Sequence, residues 1–151
     1  MQPQFIVRPA IPSDAEALAE FNIAMALETE GKTLDPPTVI AGVLGVFAEP
    51  LRGQYFVAAD STGAIGALLV TREWSDWRAC DYWWIQSVYV RRSARRGGVF
   101  SALYRQVAQA ARAAGAFSLR LYVEDHNAAA QATYQKLGMV DAHYRVMEQV
   151  L

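Results

Sequence analysis

The sequence predicts an α/β fold: a twisted mixed sheet of about six or seven strands, with four helices distributed over both faces. Three observations predict it. Short segments rich in β-branched and aromatic residues alternate with longer segments of helical periodicity. Their order, β-α-α-β-β-β-α-β-α-β, combines hairpins with crossovers and so places helices on both sides of the sheet. The 151 residues suit a single domain, residues 1–151, able to bury roughly 70% of its unfolded surface without disulfide or metal.

The elements follow in order. Phe5 to Arg8 is a short apolar strand ended by Pro9. Ser13-Asp14-Ala15-Glu16 has capping-box spacing, with Ser13 as N-cap. Leu18, Phe21, Met25 and Leu27 then mark one helical face, and Gly31 breaks it. Asp35-Pro36 opens a second helix with Val39, Ile40, Val43, Leu44 and Phe47 at helical spacing. Tyr55 to Ala59 and Ala64 to Arg72 form a hairpin around Asp60-Ser61-Thr62-Gly63. Tyr82 to Val90 is a long aromatic strand. A helix from about Gly98 to Ala114 presents Val99, Leu103, Val107 and Ala110 inward. Ser118 to Glu124 is a strand, Asn127 to Leu137 a helix stopped by Gly138, and Met139 to Val150 supplies one or two final strands.

Composition removes several function classes. With 14 Lys+Arg against 15 Asp+Glu, the chain lacks the basic excess that nucleic acid requires. Met1-Gln2-Pro3-Gln4 carries no basic, apolar leader, and no apolar run approaches the ~20 residues that span a bilayer. A cytoplasmic protein bound to neither membrane nor nucleic acid is expected. Cys80 is the single cysteine, and with His126 and His143 it forms no metal-ligand spacing or nucleophilic triad, so no metal is expected.

The densest chemistry lies in Val88-Tyr89-Val90-Arg91-Arg92-Ser93-Ala94-Arg95-Arg96-Gly97-Gly98-Val99-Phe100. A strand feeds a basic loop that opens a helix. The first helical turn has N–H groups without partners and a dipole that favours an anion. Gly97 and Gly98 let backbone approach a ligand closely, and Arg92, Arg95 and Arg96 add charge, which together suit a pyrophosphate. A solvated basic loop is the alternative. No Gly-Lys-Ser/Thr follows, and Gly-x-Gly-x-x-Gly is absent, so neither a nucleotide phosphate loop nor a dinucleotide fingerprint fits.

This segment resembles motif A of the GNAT superfamily of acyl-CoA-dependent N-acetyltransferases, Gln/Arg-x-x-Gly-x-Gly/Ala. Arg95 takes the first position, Gly98 the fourth, and Phe100 departs from the usual Gly or Ala. Asn127 to Met139 resembles the second signature, Asn-x-x-Ala-x-x-x-Tyr-x-x-x-Gly-Phe, through Asn127, Ala130, Tyr134 and Gly138, with Met139 in place of Phe. Asn127 is also a sound N-cap, and Ala130 and Tyr134 share a helix face.

The resemblance implies an N-acetyltransferase that uses acetyl-CoA as co-substrate. It implies contacts to CoA from Val88, Tyr89, Val90, Arg95, Arg96, Gly97, Gly98, Val99, Phe100, Ser101, Asn127 and Tyr134. It implies an oxyanion held by the Val88 N–H and a thiolate protonated by Tyr134, the latter late in the transfer or after a modest drop in the tyrosine pKa. The acceptor must be a neutral amine, and deprotonating a lysine-like amine at pH 7 costs about 4.6 kcal/mol. Relatives place a Glu where this chain has Trp84. Glu28 is therefore the first choice as base, with Glu30, Glu73 and Glu124 as alternatives. Glu28, Glu30, Trp74, Trp84 and Gln86 are expected at the acceptor, and Trp74, Trp77, Trp83 and Trp84 suggest an aromatic pocket or a core and rim. The expected acceptor is a small-molecule amine. A protein lysine or N-terminus, or a non-catalytic acyl-CoA-binding regulatory module, are alternatives, and a homodimer is possible.

Overall fold

The fold is taken from a computed structural model that describes residues 4–151; the reading of the Met1–Pro3 leader lies outside them. The elements are β1 (Ile6–Pro9), α1 (Ala15–Glu30), α2 (Pro36–Ala48), β2 (Gln54–Asp60), β3 (Gly63–Ser75), β4 (Cys80–Val90), α3 (Val99–Ala113), β5 (Ser118–Leu121) and α4 (Ala128–Lys136). Among the described residues they build a five-stranded sheet in the order β1-β2-β3-β4-β5. The first four strands are antiparallel neighbours, and β5 joins β4 in parallel. The final strands expected over Met139–Val150 do not form: that stretch has neither helix nor strand. The sheet accordingly has five strands rather than six or seven.

Two apolar layers hold the sheet. On one face Val99, Leu103 and Val107 of α3 pack on Phe56, Leu68, Val70, Trp83 and Ile85. Gly66 lets β3 and α3 meet closely, since a Cβ there would lie 2.9 Å from Val99 Cγ1. On the other face Leu18 and Phe21 of α1 and Val43 of α2 pack on Tyr55, Val57 and Ala67. Leu27 and Leu44, expected to face inward, are exposed, because the buried stripes of α1 and α2 are narrower than their apolar content. No helix among the described residues is long and apolar enough to cross a membrane.

The start of α1 differs from the capping box read in the sequence. Asp14, not Ser13, takes the strategic place: its carboxylate accepts from the Ile11 N–H at 2.8 Å and from both Arg8 guanidinium nitrogens at 2.8 and 3.0 Å. The Arg8 hydrogen bonds hold the Asp14 pKa below the ordinary carboxylate value. A depressed native pKa adds stability above the unfolded value, and that stability is lost as pH falls through the native one. Asp14→Ala is expected to lower unfolding free energy at pH 7 by about 1–3 kcal/mol, read as a shifted urea midpoint. The difference between native chain and variant should shrink as the pH falls below the normal carboxylate range.

Candidate active site

The site begins with an irregularity in β4. Pairing with β3 shifts register between Ala67 and Leu69, and Ser87 on β4 has φ of 51°, the signature of a bulge. The extra residue reverses the alternation of side chains. Before it, Trp83 and Ile85 face α3; after it, Val88 and Val90 do. Tyr89 is thereby turned to the α1 face, where its ring meets Phe21 at 5.3 Å. The strands β4 and β5 pair from Tyr82–Ser118 to Ile85–Leu121 and then part. Gln86 to Val90 of β4 therefore have no β5 partner among the described residues.

The basic, Gly-containing loop follows directly on β4 and opens α3. Gly98 adopts φ of 77° and a Cβ built there meets nothing within 4 Å, so the space in front of it is open. The first bond of α3 runs from the Ala102 N–H to the Gly98 carbonyl at 3.0 Å. The N–H groups of Val99, Phe100 and Ser101 have no backbone acceptor among the described residues, and α3 has no side-chain cap. The Val99 side chain is in the core, so only its backbone is free for a ligand. Arg96, at φ of 65°, is exposed, and Gly97 turns tightly, with its would-be Cβ 3.2 Å from the Ala94 carbonyl. Open space, unpartnered N–H groups and guanidinium charge fit a pyrophosphate.

Glu28 is drawn into this loop. Its carboxylate accepts from Arg95 Nη2 at 2.7 Å, Arg92 Nε at 3.1 Å and the Tyr89 hydroxyl at 3.0 Å. Arg95 in turn donates Nε to the Val90 carbonyl at 2.9 Å. These bonds, that of Arg95 foremost, bring the Glu28 pKa down to about 2. A carboxylate so stabilised as an anion is a poor proton acceptor, and its position suits an anchor that ties α1 to Arg95. Glu30 pairs with Lys32 at 3.3 Å on the exposed end of α1, apart from the loop.

Asn127 caps α4, accepting the Ala130 N–H at 3.1 Å. Tyr134 is half-buried, and its ring packs edge-on against Phe100 at 5.7 Å. Phe100, the departure from motif A, therefore packs against the ring of the tyrosine of the second signature. Burial raises the Tyr134 pKa. This shift runs opposite to the modest drop that was one of the two expected routes, and leaves late transfer as the other.

Alternation places Trp84 and Gln86 opposite the α3 face. There the sequence's scattered candidates split into two groups. Trp84 stacks on Tyr122 at 4.7 Å and donates Nε1 to Glu73 at 3.2 Å, while Gln86 donates to Thr71. Trp74 and Trp77, at 64% and 91% exposure, stand outside this cluster at the tip of the β3–β4 hairpin, and Trp83 is in the core. Glu124 lies beyond β5, where its carbonyl accepts from Gln131. Two residues unmarked in the sequence complete the corner: Tyr122, and Arg120, which lies 3.8 Å from Glu73 and over the rings of Tyr82 and Trp84 at 3.8 and 5.8 Å. Their only sequence signal was their parity with Trp84 and Gln86 across a parallel pair.

The class of protein to which this arrangement belongs follows from comparison with known proteins. The family model "Acetyltransferase (GNAT) family" matches residues 21–139. The crystal structure of a possible acetyltransferase from Clostridium difficile 630 is 35% identical, with a TM-score of 0.91 over 98% of each chain. A transcriptional regulator from Bacillus halodurans C-125 shares the fold at 18% identity and TM-score 0.83, over 97% of this chain and 99% of that one. A Trypanosoma brucei acetyltransferase does so at 22% and 0.74, again over 97% and 99%. No protein with a curated description matches. The chain belongs to the GNAT acetyltransferase family.

Proposed function

We propose that this acetyltransferase binds acetyl-CoA in the gap between β4 and β5 and transfers the acetyl group directly to the primary amine of a small molecule. The observation that supports the reading is that β4–β5 pairing ends at Ile85 and Leu121, which leaves Gln86 to Val90 without a partner on that side beside the basic loop. The pyrophosphate would rest on the N–H groups of 99–101 and on Arg95, with Arg96 and Gly97 alongside. Acetyl-CoA would supply the thioester, and the residues of the chain do the rest. The Val88 N–H, on the unpaired edge, holds the charge that gathers on the carbonyl oxygen. Tyr134 donates a hydrogen bond to the departing sulfur.

Glu73 takes the part of proton acceptor, for which the ion pairs of Glu28 with Arg92 and Arg95 make Glu28 less suited. It reaches across from β3 to Trp84, the position where relatives carry their carboxylate, so the same corner of the site holds a carboxylate from a neighbouring strand. It draws the ammonium and accepts its proton, directly or through water, while Trp84 and Tyr122 flank the apolar body of the amine and Gln86 orients it. Exposed Trp74 and Trp77 favour a second reading, in which a protein lysine or N-terminus docks across the hairpin tip.

The cofactor side is tested with Gly98→Val. The native chain is expected to melt several degrees higher with millimolar acetyl-CoA, because a ligand of the folded state stabilises it. The variant should lose most of that shift, since its side chain enters the space over the loop and its φ is one that Val resists. No shift in the native chain contradicts the proposed binding.

A further inference from the structure

One charged group beside Trp84 has no part in the transfer proposed above. Arg120 lies across the parallel pair from Trp84. Its neighbours Leu119 and Leu121 pack toward the α3 layer, so Arg120 takes the opposite sheet face, the one that carries Glu73 and Trp84. The helix-packed part of that face, Val57, Ala67 and Leu69, ends before this corner, where Trp84 stacks on Tyr122 instead. Strand register thus sets a cation beside the proposed proton acceptor.

The ion pair between them is loose. Arg120 Nη1 stands 3.8 Å from Glu73 Oε2, outside hydrogen-bond reach, while Glu73 Oε1 accepts from Trp84. Among the described residues no other carboxylate pairs with Arg120. Side-chain exposures of 26% for Arg120 and 50% for Glu73 leave both open to a small ligand. The guanidinium lies over the Tyr82 ring at 3.8 Å, with the rings of Trp84 and Tyr144 at 5.8 and 5.9 Å. Rings against the face of a guanidinium leave its N–H edge available, and that planar edge matches a carboxylate.

A plain monoamine fits this corner poorly. Its ammonium, drawn to Glu73, meets the like charge of Arg120 close by. A molecule with both charges on neighbouring atoms meets each with its opposite. We infer that the acceptor is an α-amino acid with an apolar side chain. Its ammonium lies on Glu73, its carboxylate on the N–H edge of Arg120, and its side chain against Trp84 and Tyr122. The inference rests on the acetyl transfer proposed above and narrows its acceptor. The α-nitrogen forms a bond to the acetyl carbon as the carbon–sulfur bond breaks. Of the three ammonium protons, one stays on the amide, one replaces the proton that Tyr134 gives to the sulfur, and one leaves through Glu73 to solvent. Arg120 takes no part in these transfers and decides which amine is held.

Transfer kinetics with matched acceptors test it: L-phenylalanine against phenethylamine, which lacks only the carboxylate, and L-leucine against isoamylamine. In the native chain kcat/KM should be about 10²-fold higher for each amino acid than for its amine, because a site built to bind a group rejects the analogue without it. Arg120→Gln should lower kcat/KM for the amino acids by about 10²-fold, chiefly through KM, and leave the amines within about threefold. Comparing each acceptor between native chain and variant cancels the difference in amine pKa. Arg120→Lys keeps the charge without the fork and should fall between; it carries the comparison if Arg120→Gln does not fold. The melting shift with acetyl-CoA shows that a variant is folded. Amines acetylated as readily as amino acids by the native chain overturn the inference and leave acetyl transfer standing. So does a folded Arg120→Gln chain that loses both classes equally or neither. No product from any acceptor overturns the transfer itself, and the inference with it.

Discussion

Tyr134→Phe is expected to lower kcat by about 10²-fold or more while acetyl-CoA binding and melting temperature stay near native. The size follows from losing a positioned proton donor. The ring, which packs on Phe100, is retained, so the fold should not suffer. The effect should fall on kcat rather than KM, because the hydrogen bond strengthens as charge gathers on the leaving sulfur. Burial holds the hydroxyl above its ordinary pKa. Its proton therefore stays in place through the working pH range, and no loss of activity from Tyr134 ionisation is expected near neutral pH. Steady-state kinetics of the variant, with calorimetry of acetyl-CoA binding beside it, checks this. Unchanged kcat would make Tyr134 a packing residue.

Glu73→Gln is the second large effect. Without a carboxylate beside Trp84, the enzyme must use the small neutral fraction of its amine, and kcat/KM at pH 7 should fall by about 10²-fold. The deficit should narrow as pH rises, because the free amine grows about tenfold per unit below its pKa. Glu28→Gln makes the contrast. Glu28 is ionised throughout that range, so its replacement should alter acetyl-CoA affinity through Arg95 and leave the shape of the pH profile in place. A variant of Glu28 that reproduces the pH behaviour expected for Glu73 would return the base to α1.

Much of the molecule was legible because local chemistry and tertiary context agree. The Gly98 turn, the Asn127 cap and the α3 stripe of Val99, Leu103 and Val107 follow from backbone needs and helical period, and each stands where the sequence places it. The bulge at Ser87 was not legible. No glycine or proline marks it, yet it decides which way Val88 and Tyr89 face. The final strands failed for another reason: Met139–Val150 has a strand's alternation, but a strand needs an edge to pair with, and sequence periodicity does not say whose. The ion pairs of Glu28 were not legible in the sequence. Distance along the chain hid its arginine partners, Arg92 and Arg95, 64 and 67 residues away. The corner proposed for the acceptor was half legible. Trp84 and Gln86 were chosen from the strand, and Glu73 only as one carboxylate among several, since cross-strand register was needed to set it against Trp84.

The most direct measurement of the central claim is a mass-resolved transfer assay: purified chain, acetyl-CoA and a panel of small primary amines alongside lysine-bearing peptides, with free thiol followed in parallel. The expected result is that at least one small amine gains the mass of one acetyl group in step with thiol release. Both signals should fall together in Tyr134→Phe. Tight acetyl-CoA binding with no acetylated product from any amine or peptide would contradict transfer, and acetylated peptides with no acetylated small amine would contradict the acceptor assigned here.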